Sequence, residues 1–318
     1  MAEEYVFSTN AKTVENLDEL CREAGLINEQ RMLELYDIAN SAAGVSLELI
    51  SGGLGIYEVL SLVKDALIFG EYPTSDRHLT ESLDAMRISR AYIGDFDKVV
   101  FSVLYLKALS DKGHPFSENG LLPADNVPKT FAYVRNRFSD EAFDVISEGF
   151  PGAMVVYKGS FRECAELLDS GEVGYCLFPL EERGGVRLPT VSELIHRYDF
   201  KINSVTPVFG FDGDADLKYA LVSRHFTVPA PREGDDRYIE FRVSADESAA
   251  LTAIVSAASA FGMTVYRVNT VTFENEGEAA AYFTLVLRDG GCGFAGILTY
   301  ASLFAPDAVP VGVYKNLE

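Results

Sequence analysis

Tyr238-Ile239-Glu240-Phe241-Arg242-Val243 opens the stretch that decides the fold of this chain. Its side chains alternate with period two, the pattern of a half-buried strand. An alanine-rich run from Ser248 to Phe261 follows and predicts a helix. Thr264 to Phe273 and Ala280 to Leu287 read as strands, separated by the turn-rich Glu274-Asn275-Glu276-Gly277. Phe294 to Phe304 predicts a second helix and Val309 to Tyr314 a last strand. The order is βαββαβ, a ferredoxin-like unit over 237–318.

Upstream, Pro229-Ala230-Pro231 separates this unit from a region of strand–helix alternation. Strands are predicted at Thr130 to Val134, Ala153 to Tyr157 and Gly174 to Phe178. Helices are predicted at Ser139 to Glu148, Phe161 to Asp169 and Val191 to Tyr198. Such alternation implies a mainly parallel sheet, in one α/β lobe over 128–229. The aromatics Tyr133, Phe138, Phe143, Phe150, Tyr157 and Phe161 follow those periods and read as core. Further back, Ser110 to Lys129 holds Gly113, Pro115, Asn119-Gly120, Pro123 and Pro128, the clearest boundary in the sequence. Residues 15–110 carry helical spacing, including Thr80 to Ala91 and Phe96 to Leu109. The fold class expected is therefore multidomain, α+β with α/β: a helical part over 1–127, one lobe and the βαββαβ tail.

The chain has 318 residues, with 27 Lys and Arg against 48 Asp and Glu, a formal charge of -21. A surface that negative repels phosphate backbones and anionic lipid, which argues against nucleic acid and membrane as partners. Met1-Ala2-Glu3-Glu4 shows no basic segment before an apolar core, so no signal peptide is predicted and a cytoplasmic location is expected. Cys21, Cys164, Cys176 and Cys292 are scattered, without metal-type spacing, and read as buried thiols. No metal and no cofactor is predicted.

From Thr130 onward the sequence resembles the prephenate dehydratases. Thr130-Phe-Ala-Tyr-Val134 and Phe138-Ser139-Asp140-Glu141-Ala142 look like that family's opening strand and helix. Ser160-Phe161-Arg162-Glu163 and the run Gly171 to Glu181, ending Phe178-Pro179-Leu180-Glu181, are similar to its next two motifs. The tail resembles the ACT domain that follows in bacterial enzymes. The resemblance implies a lobe of periplasmic-binding-protein type, aromatic amino-acid metabolism, an aromatic amino acid or prephenate-like molecule as ligand, and a homodimer through the ACT-like unit. Physical reasoning agrees on the last point, because the unit's sheet edges are open and Thr264, Tyr266 and Val268, with Tyr282, Thr284 and Val286, form aromatic and β-branched faces.

The departures point away from catalysis. The family's glycine-rich first turn is Arg135-Asn136-Arg137 here. The family's P-I-E-N-S run is Pro179-Leu180-Glu181-Glu182-Arg183, and its Thr-Arg-Phe signature is Leu217-Lys218-Tyr219. Lys201-Ile202 is joined to Leu217 by a short loop where the family has a second lobe, and a cleft between lobes is what orients substrate and excludes water. In the tail, the family's effector loop is replaced by Ser248-Ala249-Ala250-Leu251 and a second signature by Asn269-Thr270-Val271-Thr272. The N-terminal region faintly resembles chorismate mutase through Leu17-Asp18-Glu19-Leu20 and Met32-Leu33-Glu34-Leu35, with Arg22, Arg31 and Arg77 as its few cations.

The function expected is that of a prephenate-dehydratase-like protein that has lost catalysis and serves in ligand binding or regulation. Its alternatives are an active dehydratase, with or without mutase activity, and an ACT-mediated scaffold. Substrate-binding candidates are Ser139, Glu181, Arg183 and Arg187, since Glu181 and Arg183 follow a predicted strand and two arginines could grip a carboxylate. The competing reading of Glu181-Glu182-Arg183 is a solvated turn. Ligand-loop candidates in the tail are Ser248, Ala249, Ala250, Leu251, Asn269 and Thr270. Ser51-Gly52-Gly53-Leu54-Gly55 could cradle a phosphate but reads better as a turn between helices. His196 and His225 have no nucleophile or carboxylate at an informative spacing, which reads as surface or satisfied core.

Overall fold

The computed structural model describes residues 29–54, 56–65, 95–114, 127–209, 215–226, 236–275, 278–291 and 293–315. The expected helix over Thr80 to Ala91, with Cys21, Arg22, Arg77 and Cys292, lies outside them. By its contacts the chain forms two compact units. One comprises Met1–Gly120, Glu247–Val265 and Asp289–Val309, and the other Leu121–Asp246, Tyr266–Arg288 and Pro310–Glu318.

The first unit is helical. Helices α1 (Glu29–Ser51), α2 (Ile56–Lys64) and α3 (Asp95–Asp111) precede α7 (Ser248–Ala258) and α8 (Ala295–Phe304). Apolar residues on α1 and α3, among them Leu35, Ala39, Val100, Phe101 and Leu104, are buried. Tyr105 meets Ser46 at 2.7 Å inside that core, and burial pushes its phenol up to about 12. The glycine-rich segment between α1 and α2 is a turn. The amides of Gly52, Gly53 and Leu54 donate to the carbonyls of Glu48, Ile50 and Leu49, so they are spent on ending the helix. Arg31, one of the cations counted for the mutase resemblance, pairs with Glu34 at 3.0 Å and Asp97 at 2.8 Å.

The second unit is built on a ten-stranded sheet. Its elements are β1 (Thr130–Val134), α4 (Arg137–Ser147), β2 (Met154–Lys158), α5 (Phe161–Ser170), β3 (Tyr175–Glu182), β4 (Val186–Arg187), α6 (Pro189–Arg197), β5 (Lys201–Phe209) and β6 (Ala215–Ser223). Strands β7 (Arg237–Ser244), β8 (Met263–Asn275), β9 (Glu278–Asp289) and β10 (Ala308–Lys315) complete it. The strand order is β2-β1-β3-β6-β5-β10-β7-β9-β8, with β4 paired to β3.

The sheet is mixed, which corrects the expectation of a mainly parallel one. Strand β1 runs parallel to β2 and β3, as the crossover helices require. Strands β5 and β6, however, form an antiparallel hairpin that joins β3 edge to edge. Strands β5 and β6, which follow Phe200, are thus part of the sheet. In the 238–314 stretch the elements follow in the predicted order, strand, helix, two strands, helix, strand, and the strands lie in the order β10-β7-β9-β8, fourth, first, third and second in sequence.

Local chemistry sets the helix starts. Asn136 caps α4, its side chain accepting from the Ser139 amide while the Ser139 hydroxyl engages the Asn136 amide, a reciprocal capping box. Ser160 caps α5 in the same manner, and Glu163 reaches back to the Gly159 amide at 3.0 Å. Gly171 ends α5 at φ 80°, a left-handed conformation that suits glycine. Gly174 immediately precedes β3, where a Cβ would run into the Pro128 carbonyl. The aromatic core expected here is present except at Tyr157. That residue is 48% exposed on the outermost strand β2, with the Arg135 guanidinium over its ring at 4.9 Å.

Candidate functional site

The β3–β4 hairpin carries three of the four substrate-binding candidates, and the fold uses two of them internally. Register places Glu181 opposite Arg187, and both are buried, at 5% and 7% exposure. The Arg187 guanidinium lies 3.2 Å from Glu181 and donates to Glu240 on β7 at 2.6 Å. Tyr314 on β10 donates to the same Glu240 oxygen at 3.1 Å. Glu181 also receives Arg267 from β8 at 2.7 Å, with the Lys218 ammonium at 3.7 Å. Although β8 ends the strand path, its Arg267 therefore meets β3, so the sheet curls upon itself.

This cluster holds three cations, Arg187, Lys218 and Arg267, around two carboxylates. Burial opposes the charge on Arg187, but Glu240, Tyr314 and Glu181 outweigh it and raise its pKa above the ordinary arginine value. Burial, joined by the Glu240 carboxylate, pushes the Tyr314 phenol well above its usual range. Such groups stay in one protonation state through the neutral range and have no proton to exchange with a substrate. A paired, buried network of this kind ties β3, β4, β7, β8 and β10 together.

Arg183 is exposed while Arg187 is buried, so the expected two-arginine grip on a carboxylate is not formed. Ser139 is buried in the capping box, where its hydroxyl also donates to the Val134 carbonyl at 3.0 Å. The hydroxyl expected to meet substrate holds a helix start.

The tail candidates separate. Ser248, Ala249, Ala250 and Leu251 open α7 in the helical unit, where Ala249 and Ala250 line a trough of about 590 Å³ with Tyr300 and Phe304. Asn269 and Thr270 lie on β8 in the sheet unit, and the Asn269 side-chain nitrogen is buried without a hydrogen-bond partner among the described residues.

His196, read as surface or satisfied core, is half-buried between Phe273 and Tyr282, with ring centroids 5.0 and 5.4 Å away, and its Nδ1 has no hydrogen-bond partner among the described residues. Burial, with Arg242 nearby, lowers its pKa. Among the described residues the free thiols are Cys164 and Cys176, both buried. Burial pushes Cys164 up to about 11 and Cys176 well above its usual value, so neither is poised as a nucleophile. No group of three His, Cys, Asp or Glu among the described residues could hold a metal ion. No helix among them is long and apolar enough to cross a membrane.

A cavity opens where β1 and β2 end, the edge at which open α/β sheets gather ligands. It measures about 310 Å³ and is lined by Val134, Gly159, Ser160, Phe161, Arg162, Thr190, Glu193 and Leu194. Val134 ends β1, and Gly159 with Ser160 follows β2 into α5. Thr190, Glu193 and Leu194 share one face of α6 by their i, i+3, i+4 spacing. Ser160 to Glu163 carry a family-like motif in the sequence but are not among the candidate site residues, and nothing in the local pattern of α6 marks Thr190, Glu193 or Leu194.

No protein-family model matches the chain, and no curated protein does. Among solved structures it is similar to the prephenate dehydratase of Streptococcus mutans, at 12% identity and a TM-score of 0.44, over 59% of this chain and 98% of that one. It is similar to the prephenate dehydratase of Arthrobacter aurescens in complex with L-Phe, at 12% identity and 0.40, over 58% and 89%. It is also similar to a structure of a novel type of quorum quenching acylase, at 17% identity and 0.42, over 59% and 95%. Likeness at that level leaves any statement about activity to the residues of this chain.

Proposed function

We propose that this chain is a non-catalytic relative of the prephenate dehydratases, a cytoplasmic small-molecule-binding or regulatory protein of aromatic amino-acid metabolism. In this reading 1–127 is a mutase-like remnant, 128–229 the dehydratase-like lobe and 237–318 an ACT-like unit. The observation that carries it is the use of the candidate residues: Ser139 caps a helix, while Glu181 and Arg187 neutralise each other inside the protein. A group that must leave its ion pair to meet substrate would leave a charge stranded in the interior. Incubation with prephenate should yield phenylpyruvate no faster than buffer alone, measured by the product's absorbance. Turnover near an ordinary enzyme's roughly 10 per second would overturn the proposal.

The same reading includes a homodimer. Tyr282, Thr284 and Val286 on β9 are buried within the chain, whereas Tyr266 and Val268 on β8 are each 45% exposed, as is Val265. Among the described residues strand β8 ends the strand path of the sheet, and a terminal strand with exposed apolar side chains favours pairing with a second copy about a twofold axis. Light scattering should give a dimer at micromolar concentration, and Val265→Lys with Val268→Lys together should give a monomer. A monomeric parent chain, or a dimer that survives both lysines, removes β8 as the interface.

A further inference from the structure

We propose that the cavity at the ends of β1 and β2 binds a free α-amino acid with an apolar side chain. The inference deepens the binding reading above and rests on it. About 310 Å³ is at the small end of the ~300–1,000 Å³ typical of ligand sites, room for one small molecule. Its lining divides into three chemistries. Arg162 supplies a cation, Glu193 an anion, and Phe161, Leu194 and Val134 an apolar wall, with the hydroxyls of Ser160 and Thr190 between them.

The charges select the ligand. The cap of α5 is already closed, because Ser160 accepts from the Glu163 amide and the Glu163 carboxylate accepts from Gly159. That carboxylate opposes an anion at the helix start, so the cation left to receive a ligand carboxylate is Arg162. Glu193, which lines the cavity, pairs with Arg197 through one oxygen, Oε1, at 2.6 Å, and its other oxygen is not part of that pair. A ligand carrying one carboxylate and one ammonium satisfies both ends. A dicarboxylate would set its second charge against Glu193, and a protein of formal charge -21 repels any ligand with net negative charge. A zwitterion is neutral overall and escapes that repulsion. Half-buried Phe161, seated edge-on against Phe178 at 6.0 Å, gives the ligand's apolar side chain a rigid aromatic contact.

Calorimetric titration of the full chain tests this with four probes: L-phenylalanine, L-leucine, phenylpyruvate, which lacks the amine, and phenethylamine, which lacks the carboxylate. At least one amino acid should bind saturably with one site per chain, and the analogue lacking either charge should bind at least about tenfold more weakly. Arg162→Gln and Glu193→Gln should each weaken amino-acid binding by about tenfold or more while leaving the melting temperature near that of the parent. Phenylpyruvate binding as tightly as phenylalanine would overturn the proposal. So would the absence of amino-acid binding up to about 10 mM, or binding unchanged in both variants, which would put the ligand elsewhere. Prephenate turnover is read separately. A chain that binds no amino acid yet leaves prephenate untouched defeats only this inference, and one that converts prephenate defeats the non-catalytic reading whatever it binds.

Discussion

Arg187→Met lowers the unfolding free energy by about 3–5 kcal/mol, the range for breaking a buried ion pair by removing one partner. The size follows from what remains. Glu240 is 2% exposed, and after the substitution its named partner is the Tyr314 hydroxyl at 3.1 Å. Glu181 fares better, because Arg267 and Lys218 still face it. Most of the loss should therefore come from Glu240. The double variant Arg187→Met with Glu240→Leu should recover a large part of it, since an apolar pair of similar volume is often neutral in such a site. Urea denaturation of the two single variants and the double variant gives the coupling directly. A loss under about 1 kcal/mol for Arg187→Met would show that the cluster is solvated, and the argument against its availability to substrate would fall with it.

The network also marks where reading the sequence stopped. Period-two alternation in Tyr238 to Val243 assigns Ile239, Phe241 and Val243 to the core and leaves Tyr238, Glu240 and Arg242 for solvent. Strand β7 does bury the first set, but Tyr238 and Glu240 are buried as well, at 4% and 2%. The reason is tertiary, for the sheet curls and brings the β3–β4 hairpin over that face. No local period encodes a partner 53 residues away, so Glu240 was missed although Arg187 was named.

The hairpin β5–β6 escaped for a different reason. Lys201-Ile-Asn-Ser-Val-Thr-Pro-Val-Phe209 mixes polar residues and a proline into what is a strand. Asn203 and Ser204 are buried there, with the Asn203 amide donating to Ser223 at 2.8 Å and to the His225 carbonyl at 3.1 Å. Buried polar groups of that sort make a strand look like a loop. By contrast β1, β2, α5 and the tail elements were legible, because β-branched and aromatic runs or helical spacing fill them and stops such as Gly171, Gly262 or a polar turn mark their ends.

Phe131→Ala should cost about 3–5 kcal/mol, the usual range for removing a fully buried phenylalanine. Phe131, the second residue of β1, is at 0% exposure. Its ring packs edge-on against Phe143 at 5.4 Å and Phe150 at 5.2 Å, and stacks on Tyr175 at 5.2 Å. These partners come from α4, from the turn before β2 and from β3, so the lost ring is the point at which three crossover elements meet. The site cannot collapse cheaply, because Phe131 is also pinned by backbone pairing to Val155 on one side and Tyr175 on the other. The cavity left behind then adds its own penalty to the lost transfer energy. Phe131→Leu keeps most of the volume and should cost about 1–2 kcal/mol. Chemical denaturation separates the two. Equal and small losses would mean that β1 is not the centre of this core.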